Sequence, residues 1–129
     1  MVSLPRPPAA ALPQLAARAC PGDGLVVLFF PCNQFCDEEP GSAADIAAFY
    51  VEQHGLPASS LMERGDVNGD ETQDVYTFLR AAQLPNQTAA EPIEWNYSKF
   101  IVGRDGQVLG RYNQQVAVSA LEEQITSLL

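Results

Sequence analysis

The spacing of apolar residues divides the chain into predicted strands and helices. Residues 25–30 read Leu-Val-Val-Leu-Phe-Phe, and an apolar run of this kind is typical of a strand covered on both faces. We therefore expect a central strand there. Pro31 lacks the N–H that a sheet ladder needs, so the strand should end at this residue, with residues 32–36 on the loop at its carboxyl end. This edge of an α/β sheet commonly binds ligands.

Helical spacing predicts three helices after this strand. Ser42, with Asp45 three residues later, resembles a capping box, so the first helix should begin there and end at Gly55. Thr72 is the expected cap of the second helix, and Ser119 that of the C-terminal helix. The three apolar faces are predicted to contain Ile46, Phe49 and Tyr50; then Val75, Phe78, Leu79 and Ala82; and finally Leu121, Ile125, Leu128 and Leu129.

The second half of the chain also carries strand signals. Asp105-Gly106 lies between the apolar runs 99–102 and 108–112, and this pattern predicts a β-hairpin. A short strand near Val67 is also expected. The order of elements predicts an α/β fold, a thioredoxin-like sandwich with a small central mixed sheet flanked by helices.

Composition restricts the class of protein. The chain has 129 residues, of which 47% are hydrophobic and 18% charged, which suits one domain with a real core. We assign residues 24–129 to this domain and leave the Ala/Pro-rich residues 1–23 without an assigned structure. A net charge of −9 argues against nucleic-acid binding. The longest apolar run is far shorter than the roughly 20 residues that span a bilayer, and prolines interrupt any secretory signal, so an intracellular, cytoplasmic protein is expected.

Four motifs follow one another along residues 24–129. They are FPCNQF at 30–35 with EPGS at 39–42, DVNG at 66–69, WNYSKF at 95–100, and RDG at 104–106 with RY at 111–112. Together they strongly resemble the glutathione peroxidase family. This resemblance implies a thioredoxin-like fold and the thiol-dependent reduction of hydrogen peroxide or organic and lipid hydroperoxides, an antioxidant activity in the response to oxidative stress.

The resemblance also implies a catalytic site. In the family a peroxidatic cysteine or selenocysteine works beside a Gln, a Trp and an Asn, and the matching positions are Gln34, Trp95 and Asn96. Amide and indole N–H groups can donate hydrogen bonds to a thiolate or selenolate. No bound cofactor and no metal are expected, and glutathione or another thiol is the expected reducing co-substrate. The short loop 85–92 resembles that of the family's monomeric type, so a monomer is expected.

The family's nucleophile has no match in this sequence. The family carries it in an N-V-A-S-x-[C/U]-G segment, whereas residues 1–19 contain no cysteine. The expectation is a chain that lacks this N-terminal segment. One hypothesis is a selenoprotein gene whose in-frame UGA was taken as a stop. It requires a UGA or Cys codon in an N-V-A-S-like segment upstream of Met1, and sequencing that region would test it.

Cys32 and Cys36 are candidate redox thiols near Gln34. Their spacing is CxxxC and not the redox spacing CxxC, so loop geometry decides whether the sulfurs can meet. Cys36 stands where the family usually has glycine, and an ordinary exposed loop thiol is the competing interpretation. For the whole chain, the alternative to a peroxidase is a non-catalytic or truncated thioredoxin-fold module.

Overall fold

The computed structural model describes residues 24–85, 87 and 90–129, and the predicted N-terminal segment 1–23 lies outside this part. The boundary at residue 23 therefore stays a prediction. The described residues form two units. The first contains residues 24–31, 41–63 and 129, and the second contains residues 32–40 and 64–128.

Each unit contains a few short elements. The first unit contains helix α1 (Ala43–Ala47), a π-helix (Ala48–Gln53) and a 3-10 helix (Ala58–Ser60). The second unit contains helix α2 (Asp74–Ala81), strands β1 (Lys99–Val102) and β2 (Val108–Tyr112), a second 3-10 helix (Val118–Leu121) and helix α3 (Glu122–Ser127).

Helix α1 begins at the predicted capping box. The Asp45 N–H donates to Ser42 Oγ at 3.2 Å, and Asp45 Oδ2 accepts from the Ser42 N–H at 2.9 Å. These two bonds satisfy backbone donors that the first helical turn leaves without a partner. The helical segment ends before Gly55, whose φ of +70° is readily adopted only by glycine. The predicted start and end of this helix are both confirmed.

The apolar run 25–30 differs from its prediction. Among the described residues, the bridge of this run is a parallel one between Phe29 and Leu61, and it contains two backbone hydrogen bonds of 2.8 Å. Val26 and Leu28 are 76% and 48% exposed. The prediction of a central strand covered on both faces is therefore wrong for these residues. A covered strand needs neighbours along its length, and the described residues pair with it at one position.

The hairpin of the second unit is confirmed. β1 and β2 are antiparallel, Lys99 lies opposite Tyr112, and the register shifts by a bulge after Ile101. Gly106 turns the chain with a φ of +82°. Among the described residues this two-stranded sheet is the only one, so the expected mixed sheet is reduced to an antiparallel pair plus isolated parallel bridges. In place of the short strand expected near Val67, the structure has one such bridge, between Asp66 and Thr72.

The predicted caps of the later helices do not form. Thr72 Oγ1 donates to the Gly69 carbonyl at 2.6 Å and closes the preceding turn, so Gln73 takes the N-cap position of α2 without a side-chain bond. Ser119 lies inside the 3-10 helix, and the N-cap of α3 is Leu121, again without a side-chain bond. In both places the hydroxyl residue is one or two positions away from the geometry that a cap requires.

The apolar faces of these helices are only partly buried. Leu79 and Leu121 are buried, but Phe78 is 54% exposed, and Leu128 and Leu129 are exposed. Phe78 and Leu79 are separated by 100° around the helix, and in this structure the buried side includes Leu79 and excludes Phe78. The prediction that Phe78 belongs to the core is wrong.

The core of the second unit lies directly beneath the sequence motifs. Phe35, Val67 and Ile93 form its buried cluster, and Tyr76 and Phe100 pack against them. Each residue of the cluster comes from or lies close to a motif segment. Packing against this core therefore positions the candidate site.

Within the described part of the chain, no helix is both long and apolar enough to cross a membrane. The same residues contain no group of three or more His, Cys, Asp or Glu side chains arranged to hold a metal ion.

The capping box yields a stability prediction with a matched control. Ser42→Ala should lower the free energy of unfolding by about 1 kcal/mol, because the Asp45 N–H loses its acceptor. Ser119→Ala, which removes the same group from the same S-x-x-acid pattern, should leave it nearly unchanged. Denaturant unfolding measures both, and equal effects would contradict the assignment.

The contribution of the box should also depend on pH. Hydrogen bonds from the Ser42 side chain and backbone lower the pKa of Asp45 from its usual value of 3.8. A carboxyl group whose pKa is lower in the folded than in the unfolded state stabilises the fold when the pH lies above its unfolded pKa. This stabilisation is lost as the pH falls through the folded pKa. The stability difference between the wild type and Ser42→Ala should therefore shrink below pH 3.8.

Candidate functional site

The loop of residues 32–40 is held by its own asparagine. Asn33 Nδ2 donates to Asp37 Oδ1 at 3.1 Å, and Asn33 Oδ1 accepts from the Glu39 N–H at 2.9 Å. Cys36 and Asp37 both have left-handed backbone conformations, with φ of +55° and +52°. Left-handed backbone is unfavourable for residues with a Cβ, so the loop is locally strained at these positions.

Gln34 is bound to the DVNG segment through its side-chain amide. Its Oε1 accepts from the backbone N–H groups of Val67 at 2.8 Å and Asn68 at 3.0 Å. Its Nε2 donates to the Asn68 carbonyl at 2.8 Å. A terminal amide nitrogen carries two N–H groups, so this arrangement uses one and leaves the second.

Trp95 and Asn96 lie against the same loop. The Trp95 ring contacts the Phe35 ring with centroids 5.8 Å apart, and Asn96 Nδ2 donates to Glu38 Oε2 at 2.7 Å. Trp95 is 38% exposed, and its indole N–H donates to no other residue of the described part. The indole is therefore partly accessible from solvent.

The structure brings the segments of the predicted site residues together, although their side chains have separate partners. Gln34 is bound to the DVNG segment, whereas its neighbour Phe35 makes the contact with Trp95. Among the described residues, no hydrogen bond links the Gln34 amide to Trp95 or Asn96. The candidate donors are therefore held by one loop and not by one another.

The Cys32 thiol is partly buried beside Gln34. Its Sγ donates to Gln34 Oε1 at 3.6 Å. Burial raises the pKa of Cys32 above its usual value, although the backbone N–H groups of Gln34 and Val67 oppose the shift. The neighbouring Tyr76 is also partly buried, and this burial is the main reason why the pKa of Tyr76 is raised to about 12. Cys32 is therefore a neutral thiol near pH 7, and only the thiolate is nucleophilic.

Neither described candidate redox thiol forms a disulfide. Cys32 and Cys36 are both free, and Cys36 is exposed. Cys20 lies outside the described residues. A redox role for the pair stays a prediction.

Sequence reasoning missed three residues that build this region. The Asn68 amide binds both backbone polar groups of Ile93 at 2.8 Å. Arg80 and Arg111 donate to the backbone carbonyls of residues 90–92 at distances from 2.7 to 3.2 Å. Asn68 and Arg111 stood within recognised motifs, but nothing in the sequence indicated which backbone groups they would bind.

Known proteins resemble this chain in sequence. The profile of the glutathione peroxidase family matches residues 10–80. A glutathione peroxidase-like peroxiredoxin of Schizosaccharomyces pombe is 41% identical over 106 residues, which cover 82% of this chain and 65% of that protein. Glutathione peroxidase 2 of Caenorhabditis elegans is 40% identical over 107 residues, which cover 83% of this chain and 64% of that protein. The chain thus spans less than two thirds of either relative.

Solved structures resemble the chain as well. The crystal structure of Trgpx in its apo form has a TM-score of 0.62 and 30% identity, covering 89% of this chain and 63% of that one. The crystal structure of T. cruzi GPX1 has a TM-score of 0.62 and 27% identity, covering 93% of this chain and 68% of that one. These similarities confirm the predicted α/β, thioredoxin-like fold class.

The strained loop yields a stability prediction. Cys36→Gly should raise the free energy of unfolding by about 1 kcal/mol relative to Cys36→Ala, because glycine adopts a φ of +55° without a Cβ penalty. Cys36→Ala is the matched control, since it removes the thiol and keeps the Cβ. Equal stability of the two variants in denaturant unfolding would contradict a left-handed residue at this position.

The two described thiols should differ in reactivity. Iodoacetamide should alkylate Cys36 before Cys32, because Cys36 is exposed whereas burial raises the pKa of the Cys32 thiol. Peptide mass spectrometry at increasing times measures each site. Cys36→Ser and Cys32→Ser isolate the individual rates, and faster alkylation of Cys32 would contradict its raised pKa.

Proposed function

Because the chain belongs to the glutathione peroxidase family, we propose that it acts in the thiol-dependent reduction of hydrogen peroxide or organic hydroperoxides. Gln34, Trp95 and Asn96 are the proposed catalytic residues. Their role is to donate hydrogen bonds to a reacting thiolate or selenolate and to the peroxide. Such donors stabilise an anion most strongly when they are already oriented before the reaction begins.

One observation carries the proposal: the loop 32–40 and the WNYSKF segment are in contact at the candidate donors. Phe35 packs on Trp95, and Glu38 accepts from Asn96. The Gln34 and Asn96 amide nitrogens each use one N–H on a protein acceptor and keep a second N–H available. With the Trp95 indole, the loop and the segment that it contacts contribute three candidate donors.

The proposed reaction has balanced steps. The chalcogen anion attacks the terminal peroxide oxygen, the O–O bond breaks, and the departing alkoxide or hydroxide takes a proton. The residue that carries the chalcogen gains this oxygen and becomes a sulfenic or selenenic acid. One thiol then condenses with it to release water and form a mixed disulfide or selenenyl sulfide. A second thiol then attacks the mixed disulfide or selenenyl sulfide. It displaces the residue in its starting form and leaves joined to the first thiol as a disulfide.

Gln34, Trp95 and Asn96 are the assigned donors, whereas the nucleophile is to be identified by experiment. Cys32 is a poor candidate because burial raises its pKa. Cys36 remains the second candidate thiol, and its exposure makes it accessible to a peroxide. Glutathione or another small thiol is the proposed reductant, and a cytoplasmic monomer is the proposed state.

The test is a peroxidase assay coupled to glutathione or thioredoxin. Gln34→Ala, Trp95→Phe and Asn96→Ala should each lower kcat/KM, by about 100-fold for a lost anion donor. Gln53→Ala, which changes an exposed glutamine of the π-helix, is the matched control and should have no effect.

Two outcomes would contradict the proposal. Unchanged activity in all three donor variants would exclude the assigned site. Activity that survives in Cys20→Ser/Cys32→Ser/Cys36→Ser would exclude a thiol mechanism based on these cysteines. A chain without activity towards any hydroperoxide would instead favour the alternative, a non-catalytic thioredoxin-fold module.

A further inference from the structure

Asn68 is hydrogen-bonded to both halves of the proposed site. Its Nδ2 donates to the Ile93 carbonyl at 2.8 Å, and its Oδ1 accepts from the Ile93 N–H at 2.8 Å. One side chain thus satisfies both backbone polar groups of a buried residue, as a neighbouring strand would. Trp95 and Asn96 follow Ile93 along the chain after a single residue, Glu94. Asn68 therefore holds the backbone just before both donors.

The backbone of Asn68 is bound in turn by Gln34. The Asn68 N–H donates to Gln34 Oε1 at 3.0 Å, and the Asn68 carbonyl accepts from Gln34 Nε2 at 2.8 Å. The Val67 N–H donates to the same oxygen at 2.8 Å. Because two backbone donors require an acceptor, the amide oxygen of Gln34 must face them. The direction of the remaining Nε2 N–H is therefore set by the backbone at residue 68.

We propose that Asn68 is a positioning residue that sets the spacing between the Gln34 amide and the Trp95–Asn96 pair. This inference rests on the proposed function. Donors that act on one anion must be held within about 0.5 Å of their productive positions by groups behind them. The Asn68 backbone supports the Gln34 amide, and the Asn68 side chain supports the segment before Trp95 and Asn96.

Loss of the Asn68 amide has a defined structural consequence. Asn68→Ala leaves the buried N–H and carbonyl of Ile93 without partners, so the segment moves to regain them. The bonds from Gln34 to the backbone of residues 67 and 68 are kept. The variant therefore separates the two halves of the site without removing any proposed catalytic residue.

Trp95 reports this change directly, because it is the chain's single tryptophan. Asn68→Ala should shift the Trp95 emission to longer wavelength and raise its acrylamide quenching constant in the folded protein. Asn113→Ala is the matched control, because it removes an asparagine whose Oδ1 binds the Gln115 N–H in a turn after β2. The control should leave emission and quenching unchanged.

Asn68→Asp is the second variant if Asn68→Ala does not fold. It keeps an acceptor for the Ile93 N–H and places an oxygen opposite the Ile93 carbonyl. Its Trp95 emission should therefore shift near pH 7 and return towards that of the wild type when acid protonates the new carboxyl group. An emission that does not respond to this protonation in the folded protein would contradict the proposed link.

Activity gives an independent readout. Asn68→Ala should lower kcat/KM by about 10-fold to 100-fold, the scale expected when donors are misplaced by about 1 Å. In a Gln34→Ala background the same change should cost less, since one of the two positioned groups is already absent. An equal loss in both backgrounds would show that Asn68 does not act through Gln34.

The two proposals fail in different ways. Unchanged Trp95 emission and quenching in folded Asn68→Ala would overturn the positioning role, whatever the activity. A shift in Asn68→Ala but not in Asn113→Ala supports the role, even if the chain has no peroxidase activity. That absence would overturn the proposed function alone.

Discussion

Side-chain groups that bind backbone polar groups are the constraint on which the second unit depends. Residues 90–98 contain no regular helix or strand, so their N–H and carbonyl groups lack the regular partners that a sheet or helix supplies. A buried backbone group without a partner costs about 1–3 kcal/mol. Asn68, Arg80 and Arg111 supply those partners, and Gln34 does the same for residues 67 and 68. Side chains replace a sheet ladder here.

This way of building the unit also prepares it for chemistry. An amide nitrogen has two N–H groups, so Gln34 and Asn96 can each bind the scaffold with one and offer the other. The amide nitrogen that makes the orienting hydrogen bond is thus the same atom whose second N–H would bind a substrate. The Cys32 thiol, in contrast, is not prepared for chemistry by its surroundings, because burial favours its neutral form.

Acidic side chains near the loop are part of the same network. Glu38 accepts from Asn96, and Asp37 accepts from Asn33, so two of the loop's carboxylates are bound to amides. The Asp37 bond lies within the loop, whereas the Glu38 bond links the loop to Asn96 and brings a negative charge close to a proposed donor. An anionic nucleophile would therefore depend on the remaining N–H groups to offset this charge.

The sequence alone predicted the local features of this protein. The Ser42–Asp45 box and the Asp105-Gly106 hairpin depend on residues close along the chain, and both formed as expected. The motifs were also sufficient to predict the family and its fold class. The caps at Thr72 and Ser119 failed, although the local patterns were similar, because a competing turn or 3-10 helix took the hydroxyl residue first.

Tertiary structure alone decided which distant groups meet. No periodicity along the chain indicates that Gln34 binds the backbone of residue 68, or that Asn68 binds Ile93. It also decided that Val26 and Leu28 lack the cover that their apolar pattern predicts. Local patterns determine how a segment can fold, whereas burial and long-range pairing depend on which segments surround it, and only the folded chain supplies these neighbours.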